Sequence, residues 1–244
     1  MVPNLWITRL LNHLFAPVVD SLLNLVGVHP AHPERPINDT FALELTVAGG
    51  LVLFFLIVRF TLSVEKPNPA QHIAEIIHEF TGGTADQIIG HGYQRYQAFV
   101  TCVFLFVVIN NLLGLIPGIV TPTSAPVVPL GIALCTFVYY NFYGFKEQGF
   151  VGYLKHFAGP IWWIAWLLFP IEVISHCARV MSLTIRLYAN MFASDLVTLV
   201  FFSLVPIGIP AIFLGLHAFV SLIQAYVFML LAMIYLSQAV AHEH

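Results

Sequence analysis

Eight polar side chains interrupt one long apolar stretch: Glu172, Ser175, His176, Arg179, Ser182, Arg186, Asn190 and Asp195. If that stretch lies in lipid, each charge costs a few kcal/mol on insertion scales, so its presence requires a reason. As a helix at 100° per residue, Glu172, Ser175, Arg179, Arg186 and Asn190 share about 60° of arc and make one stripe roughly 27 Å long. Asp195 falls about 140° away and lies off the stripe. A second apolar stretch repeats the pattern, because His217, Ser221, Gln224 and Tyr235, spaced by 4, 3 and 11 residues, also share one face.

Arg186 stands apart within this set. A guanidinium stays charged at any physiological pH, and no acidic residue lies within four positions on either side. Its counter-ion must come from elsewhere. Glu172 is two turns from Arg179, about 10 Å along the axis, too far for an ideal contact, so an internal salt bridge accounts for only part of the charge. Ser175, Ser182 and Ser221 fit hydrogen bonding across a helical hairpin, a common use of polar residues in membrane packing. His217 reads as a proton-relay group. Haem would need paired, facing histidines, and of eleven only His176 and His217 lie in apolar stretches. The three cysteines are far apart and flanked by apolar residues, which predicts buried thiols rather than a disulfide or a zinc site. No cofactor or metal is expected.

The elements that must hold these groups are membrane helices. Apolar residues make up 59% of the 244 and Asp, Glu, Lys and Arg only 9%, while mean hydropathy is +0.88; a hydrated surface cannot be built from that composition. A net charge of −3 without a basic run excludes nucleic acid as a partner. Residues 5–27 mix Leu, Phe and Val with Arg9, Asn12, His13 and Asp20, which suits a helix at the interface, and HPAHPERP breaks it. Spans are expected at 41–63, at 97–117 ending on Pro117, and at 128–145. Residues 64–96 hold Glu65, Lys66, Glu75, Glu79, Asp86 and Arg95 and are expected as an aqueous loop with room for a short surface helix. The stretch 161–205 would be about 65 Å long as one helix, so it must tilt, bend or break, with Pro170 a candidate kink. Pro206 and Pro210 mark a turn into a last helix, 211–238. The expected fold is all-α and polytopic: one membrane domain of about five transmembrane helices, with an interfacial segment over 1–40, three spans within 41–145 and a long hairpin over 161–238.

Lys66, Arg95, Lys146 and Lys155 follow the first and third spans, and the 118–126 loop has no Lys or Arg. By the positive-inside rule both basic loops are cytoplasmic, the amino terminus outside and the carboxyl terminus inside. The first residues resemble neither a cleavable signal peptide nor a transit sequence, so a bacterial inner membrane is expected and the amino terminus should stay on the mature protein.

The stretch SHCARVMSLTIRLYANMFASDL, Ser175 to Leu196, closely resembles the signature of subunit a of F-type ATP synthases, and LIQAYVFMLLAMIYLS, Leu222 to Ser237, looks like that family's last helix. Weaker similarity covers NNLLGLIPG at Asn110 to Gly118 and TPTS at Thr121 to Ser124. The resemblance implies that Arg186 is the family's essential arginine, set against a rotor ring of c subunits that each carry a mid-membrane carboxylate. It further implies that Asn190 and Gln224 flank that arginine, that Asp195 and His217 belong to an outward half-channel, that Glu172 and Ser175 belong to a cytoplasmic one, and that Tyr235 lies near the cytoplasmic end. Implied partners are the c-subunit ring, subunit b and other ATP synthase subunits, with protons as cargo; the implied hairpin is steeply tilted. Val180 stands where proline is frequent, Ala189 where glycine is, and Ser194 with Asp195 where Gly-Glu is. Asp195 is one methylene shorter than glutamate, which bears on its reach toward His217.

No G-x-x-x-x-G-K-[ST] loop is present, so nucleotide chemistry would belong to partner chains. A self-contained proton-coupled transporter would also place ionisable groups in helices, but no internal repeat pairs one half of the chain with the other.

Overall fold

The computed structural model describes residues 6–25, 37–63, 66–116, 118–158, 165–204 and 208–240. They form seven helices in chain order: α1 Trp6–Leu25, α2 Asp39–Phe60, α3 Pro69–Ile89, α4 Gln94–Leu113, α5 Val127–Ala158, α6 Ala165–Leu204 and α7 Ile209–Val240, with a 3-10 turn at Pro122–Ser124. Five of them are long and apolar enough to cross a membrane, over Asp39–Phe60, Gln94–Leu113, Val127–Gly149, Trp166–Leu204 and Pro210–Val240. The all-α, five-span expectation holds. HPAHPERP, Glu65, Pro117, Pro206 and the start of the predicted hairpin at 161–164 lie outside the described residues.

α2 shows how the sequence sets one span. Asn38 accepts a hydrogen bond from the amide of Phe41 at 2.8 Å, Asp39 occupies the first turn and Arg59 the last, which complements the helix dipole at both ends. Val52, Leu53, Leu56 and Ile57 stay exposed, as lipid-facing side chains should.

Three expectations need correction. Residues 64–96 are not chiefly loop, since 21 of them form α3. Pro69 sits in its first turn after Asn68, and its buried side uses the small residues Thr81, Gly82 and Ala85 to approach α4 closely. Thr81 and Thr101 hydroxyls meet at 2.8 Å, and Gln97 donates to the His78 carbonyl at 2.6 Å. The expected loop around Lys146 and Lys155 is helical too: α5 runs past Lys146 to a break at Gly149, whose φ of 72° few other residues accept, and resumes to Ala158. The cysteines also differ from expectation, for Cys102, Cys135 and Cys177 are exposed rather than buried. In lipid, apolar flanks mark the outer face as readily as the core.

α7 is the central element, packed against α3, α4, α5 and α6. The core joins Val103 and Val107 of α4, Val128, Ile132 and Ala133 of α5, Leu183, Leu187 and Met191 of α6, and Ala225 and Phe228 of α7. α6 runs unbroken through Pro170 for 40 residues, about 60 Å, so it fits roughly 30 Å of hydrocarbon only when steeply inclined. Phe201 and Phe213 stack at 4.2 Å near the turn of the hairpin.

α1 is clipped to the start of α2. Asn12 donates to the carbonyls of Thr8 at 2.9 Å and Ile37 at 3.0 Å and accepts from the Ile37 amide at 3.1 Å, while Thr8 donates to Asp39. Asn12→Ala should therefore leave the spans intact but free α1, speeding hydrogen exchange at the Ile37 amide about tenfold, the effect of losing one buried bond. Unchanged exchange there, read by mass spectrometry, would show that the clip does not hold the helix.

Candidate functional site

α6 divides its circumference between packing and polar work. Leu183, Leu187 and Met191, four residues apart, form the line buried in the core. At 100° per residue, Arg179, Arg186 and Asn190 run down one flank, about 60–100° from that line, and Asp195 sits about 80° away on the other flank. Arg186 is half-buried, and its Nη2 donates to Ser182 Oγ over 3.4 Å. Among the described residues no carboxylate lies within 4.0 Å of it. One turn further along, Asn190 donates to Gln224 Oε1 at 2.9 Å and ties α6 to α7.

Toward the hairpin turn, polar groups gather around His217, which is 1% exposed. Its Nδ1 lies 2.7 Å from Ser194 Oγ and 3.7 Å from Asp195 Oδ1, and its Nε2 lies 3.2 Å from the Asn111 carbonyl. Asp195 accepts from the Thr121 hydroxyl at 2.7 Å and from the Thr121 amide at 3.2 Å. Behind them Thr123 donates to Asn111 Oδ1 at 2.6 Å, and Asn111 donates to the Ser221 carbonyl at 3.3 Å. A cavity of about 690 Å³ opens beside Asp195, with Thr40, Thr121, Ser124 and Thr198 among its lining. That is large against the ~30 Å³ one water takes in the liquid. Gly114 makes the arrangement possible: a Cβ there would stand 1.9 Å from Thr121 Oγ1 and 3.1 Å from His217 Nε2.

A second cluster lies at the open end of the hairpin. Glu172 Oε1 is 3.4 Å from His176 Nε2 and 4.0 Å from Arg179 Nη2, the Tyr140 hydroxyl is 2.9 Å from His176 Nδ1, and the Arg179 guanidinium lies 5.1 Å from the centre of the Tyr235 ring. Two extended side chains thus close the two-turn gap between Glu172 and Arg179 that ideal helix geometry leaves open. Ser175 is half-buried on the same flank, and no hydrogen bond ties it to the cluster among the described residues.

The structure therefore brings Asp195 to His217, Asn190 to Gln224, and Glu172 to Arg179 and Tyr235, while Arg186 stands between the groups. Sequence reasoning missed Thr121 and Thr123 as partners, because loop hydroxyls carry no periodic signal, and it missed Asn111 of α4 as well. It also passed over Tyr140 and gave His176 no part beyond the haem question. Ser194 and His176 could have been found, since both fall within about 20° of the buried Leu187 line. A carboxylate and an imidazole side by side, backed by hydroxyls and a cavity, are the parts of a proton relay.

The sequence model of the family described as ATP synthase A chain matches residues 40–237. The chain is 51% identical to an ATP synthase subunit a of Koribacter versatilis (strain Ellin345) over 244 residues, all of both proteins. It is 44% identical to that of Solibacter usitatus (strain Ellin6076) over 233 residues, 96% of this chain and 99% of the relative. The chain belongs to the ATP synthase A chain family: it is a multi-pass membrane protein and the proton-channel stator subunit of such a machine's membrane sector.

The tight fit at Gly114 is testable. Gly114→Ala should cost roughly 1–3 kcal/mol, as overpacking does, and lower the chain's unfolding midpoint in mild detergent. Gly83→Ala, where nothing lies within 4 Å of an added Cβ, should not. Equal midpoints for the two variants would mean that Thr121 can move aside freely.

Proposed function

We propose that Arg186 is the charge barrier between two proton half-channels, and that each proton crosses the barrier by riding a carboxylate of the c-subunit ring as it turns past α6. The observation that supports this is the placement of the polar clusters. Asp195 lies about 13 Å from Arg186 along α6 and Glu172 about 21 Å the other way, and Leu183, Leu187, Met191 and Phe228 fill the core between them. A proton cannot hop through an apolar core. It must leave this chain on one side and return on the other.

Arg186 suits the barrier because a guanidinium keeps its charge where an ammonium would shed a proton. It repels an excess proton and favours the ionised form of a passing carboxylate, the counter-ion that none of the described residues supplies. Asn190 and Gln224 hold the adjoining turn. Asp195 and His217 serve the outward half-channel through the cavity at Thr121; Glu172 and Ser175 serve the cytoplasmic one, with Tyr235 at its end. The membrane potential adds about 2.3 kcal/mol per charge per 100 mV and sets the direction of rotation.

In this reading the machine sits in a bacterial plasma membrane with its amino terminus outside, its carboxyl terminus in the cytoplasm, and subunit b beside it in the stator. Start of α2, the α4–α5 link and the hairpin turn then share the outer side. Thr40, Thr121 and Phe202 lining one cavity agree with that arrangement.

Arg186→Ala should abolish proton-driven ATP synthesis while the assembled complex keeps its soluble nucleotide sites, and Arg186→Lys should fail nearly as badly. Full coupled synthesis in Arg186→Ala would falsify the barrier. Sidedness has its own check: with Cys102, Cys135 and Cys177 replaced, cysteines at 172 and 175 should react with an impermeant thiol reagent from the cytoplasmic face and a cysteine at 217 from the other. Labelling of all three from one face only would remove the two-channel account and favour a single gated pathway.

A further inference from the structure

The surroundings of His217 determine its protonation pattern. Against the ring α6 presents Ser194 and Asp195, and α4 presents the Asn111 carbonyl. Thr121, close by in the α4–α5 link, gives its hydroxyl to Asp195. Asp195 is the titratable group among these. A carbonyl can only accept, so at 3.2 Å from Asn111 O the Nε2 atom carries a hydrogen. A neutral imidazole has one such hydrogen, which leaves Nδ1 bare and makes Ser194, 2.7 Å away, the donor. Asp195 at 3.7 Å is beyond hydrogen-bond range but close enough to act on charge.

We propose that Ser194 is a positioning residue for the proton path: its hydroxyl donates to Nδ1 of His217, holds the neutral ring as the Nε2–H tautomer, and leaves Nδ1 as the atom that takes each proton. The proposal rests on His217 belonging to the outward half-channel. When an excess proton reaches the ring from the side of the cavity that Asp195 lines, an N–H bond forms at Nδ1 as the carrier's O–H bond breaks, and the Ser194 hydroxyl rotates from donor to acceptor. The imidazolium keeps its bond to Asn111 and gains the Asp195 carboxylate as counter-ion. When the proton moves on, the electron pair stays on Nδ1 and the hydroxyl turns back. No side chain has to change rotamer in either direction.

Removing the hydroxyl takes a partner from both forms of the ring: the donor to bare Nδ1 and the acceptor for the proton that Nδ1 gains. The test is passive proton conduction through the membrane sector, in vesicles stripped of the soluble sector. Ser194→Ala should lower it about tenfold, the equivalent of one hydrogen bond, and Ser194→Thr, which keeps the hydroxyl, should restore it. Undiminished conduction in Ser194→Ala, with His217→Ala lowering it, overturns the role of Ser194 and spares that of His217. Conduction indifferent to His217→Ala removes both. If Ser194→Ala does not assemble, nitrogen NMR of the histidine-labelled wild-type complex, with His217→Gln to assign the signal, decides the matter at alkaline pH: protonated Nε2 supports the proposal and protonated Nδ1 overturns it.

Discussion

A guanidinium that cannot lose its charge, held halfway along a 40-residue helix, is the constraint from which the rest of the structure follows. In water Arg186 would be unremarkable. In a bilayer it needs acceptors within reach, and this chain offers it the Ser182 hydroxyl at 3.4 Å and no carboxylate within 4.0 Å among the described residues. The neighbouring Arg179 is treated differently, with Glu172 at its side and Tyr235 under its plane. One arginine is satisfied within the fold and the other is left to interact outward. That contrast, inside a single stripe, separates a charge paired within the fold from one that is not, which neither residue's identity does.

The division of α6 into a buried line and two flanks lets one helix present two separate polar surfaces. Leu183, Leu187 and Met191 anchor it to the core, and 100° per residue then fixes what the flanks present. Asp195 is carried to the flank away from Arg186, where Thr121 and His217 receive it. Arg186 and Asn190 stay on the other. A polar group near the buried line, such as Ser194 or His176, is pressed into contact with a neighbouring helix: Ser194 meets the His217 imidazole of α7 and His176 the Tyr140 hydroxyl of α5.

Much of this was legible in the chain because membrane helices obey two strong rules, apolar length and angular period. The five spans, the hairpin and the shared stripe follow from those alone, and Asp195 reads as off the stripe before any contact is known. What was not legible depended on close approach. α3 was hidden because Glu75, Glu79 and Asp86 lower its hydropathy, although the Asn68-Pro69 start and the small Thr81, Gly82 and Ala85 announce a packed helix. The link between α4 and α5 looked like turn residues, yet Thr121 and Thr123 are buried and supply donors to Asp195 and Asn111. Helical period says nothing about such loop groups. The exposed cysteines failed for a related reason, since hydropathy cannot tell a lipid face from a core.

Ser194 and Asp195 divide the contacts to His217 between them. The Asp195 carboxylate sits 3.7 Å from Nδ1 of His217, outside hydrogen-bond range, and held by two bonds from Thr121 it is not free to advance. Nδ1 would then be a buried acceptor without a donor, an expensive state for a ring 1% exposed. The Ser194 hydroxyl, one residue earlier and turned toward the buried line, fills that place at 2.7 Å. Glycine has no atom to offer there. The hydroxyl therefore supplies the hydrogen bond that the carboxylate, held back from the ring, does not make.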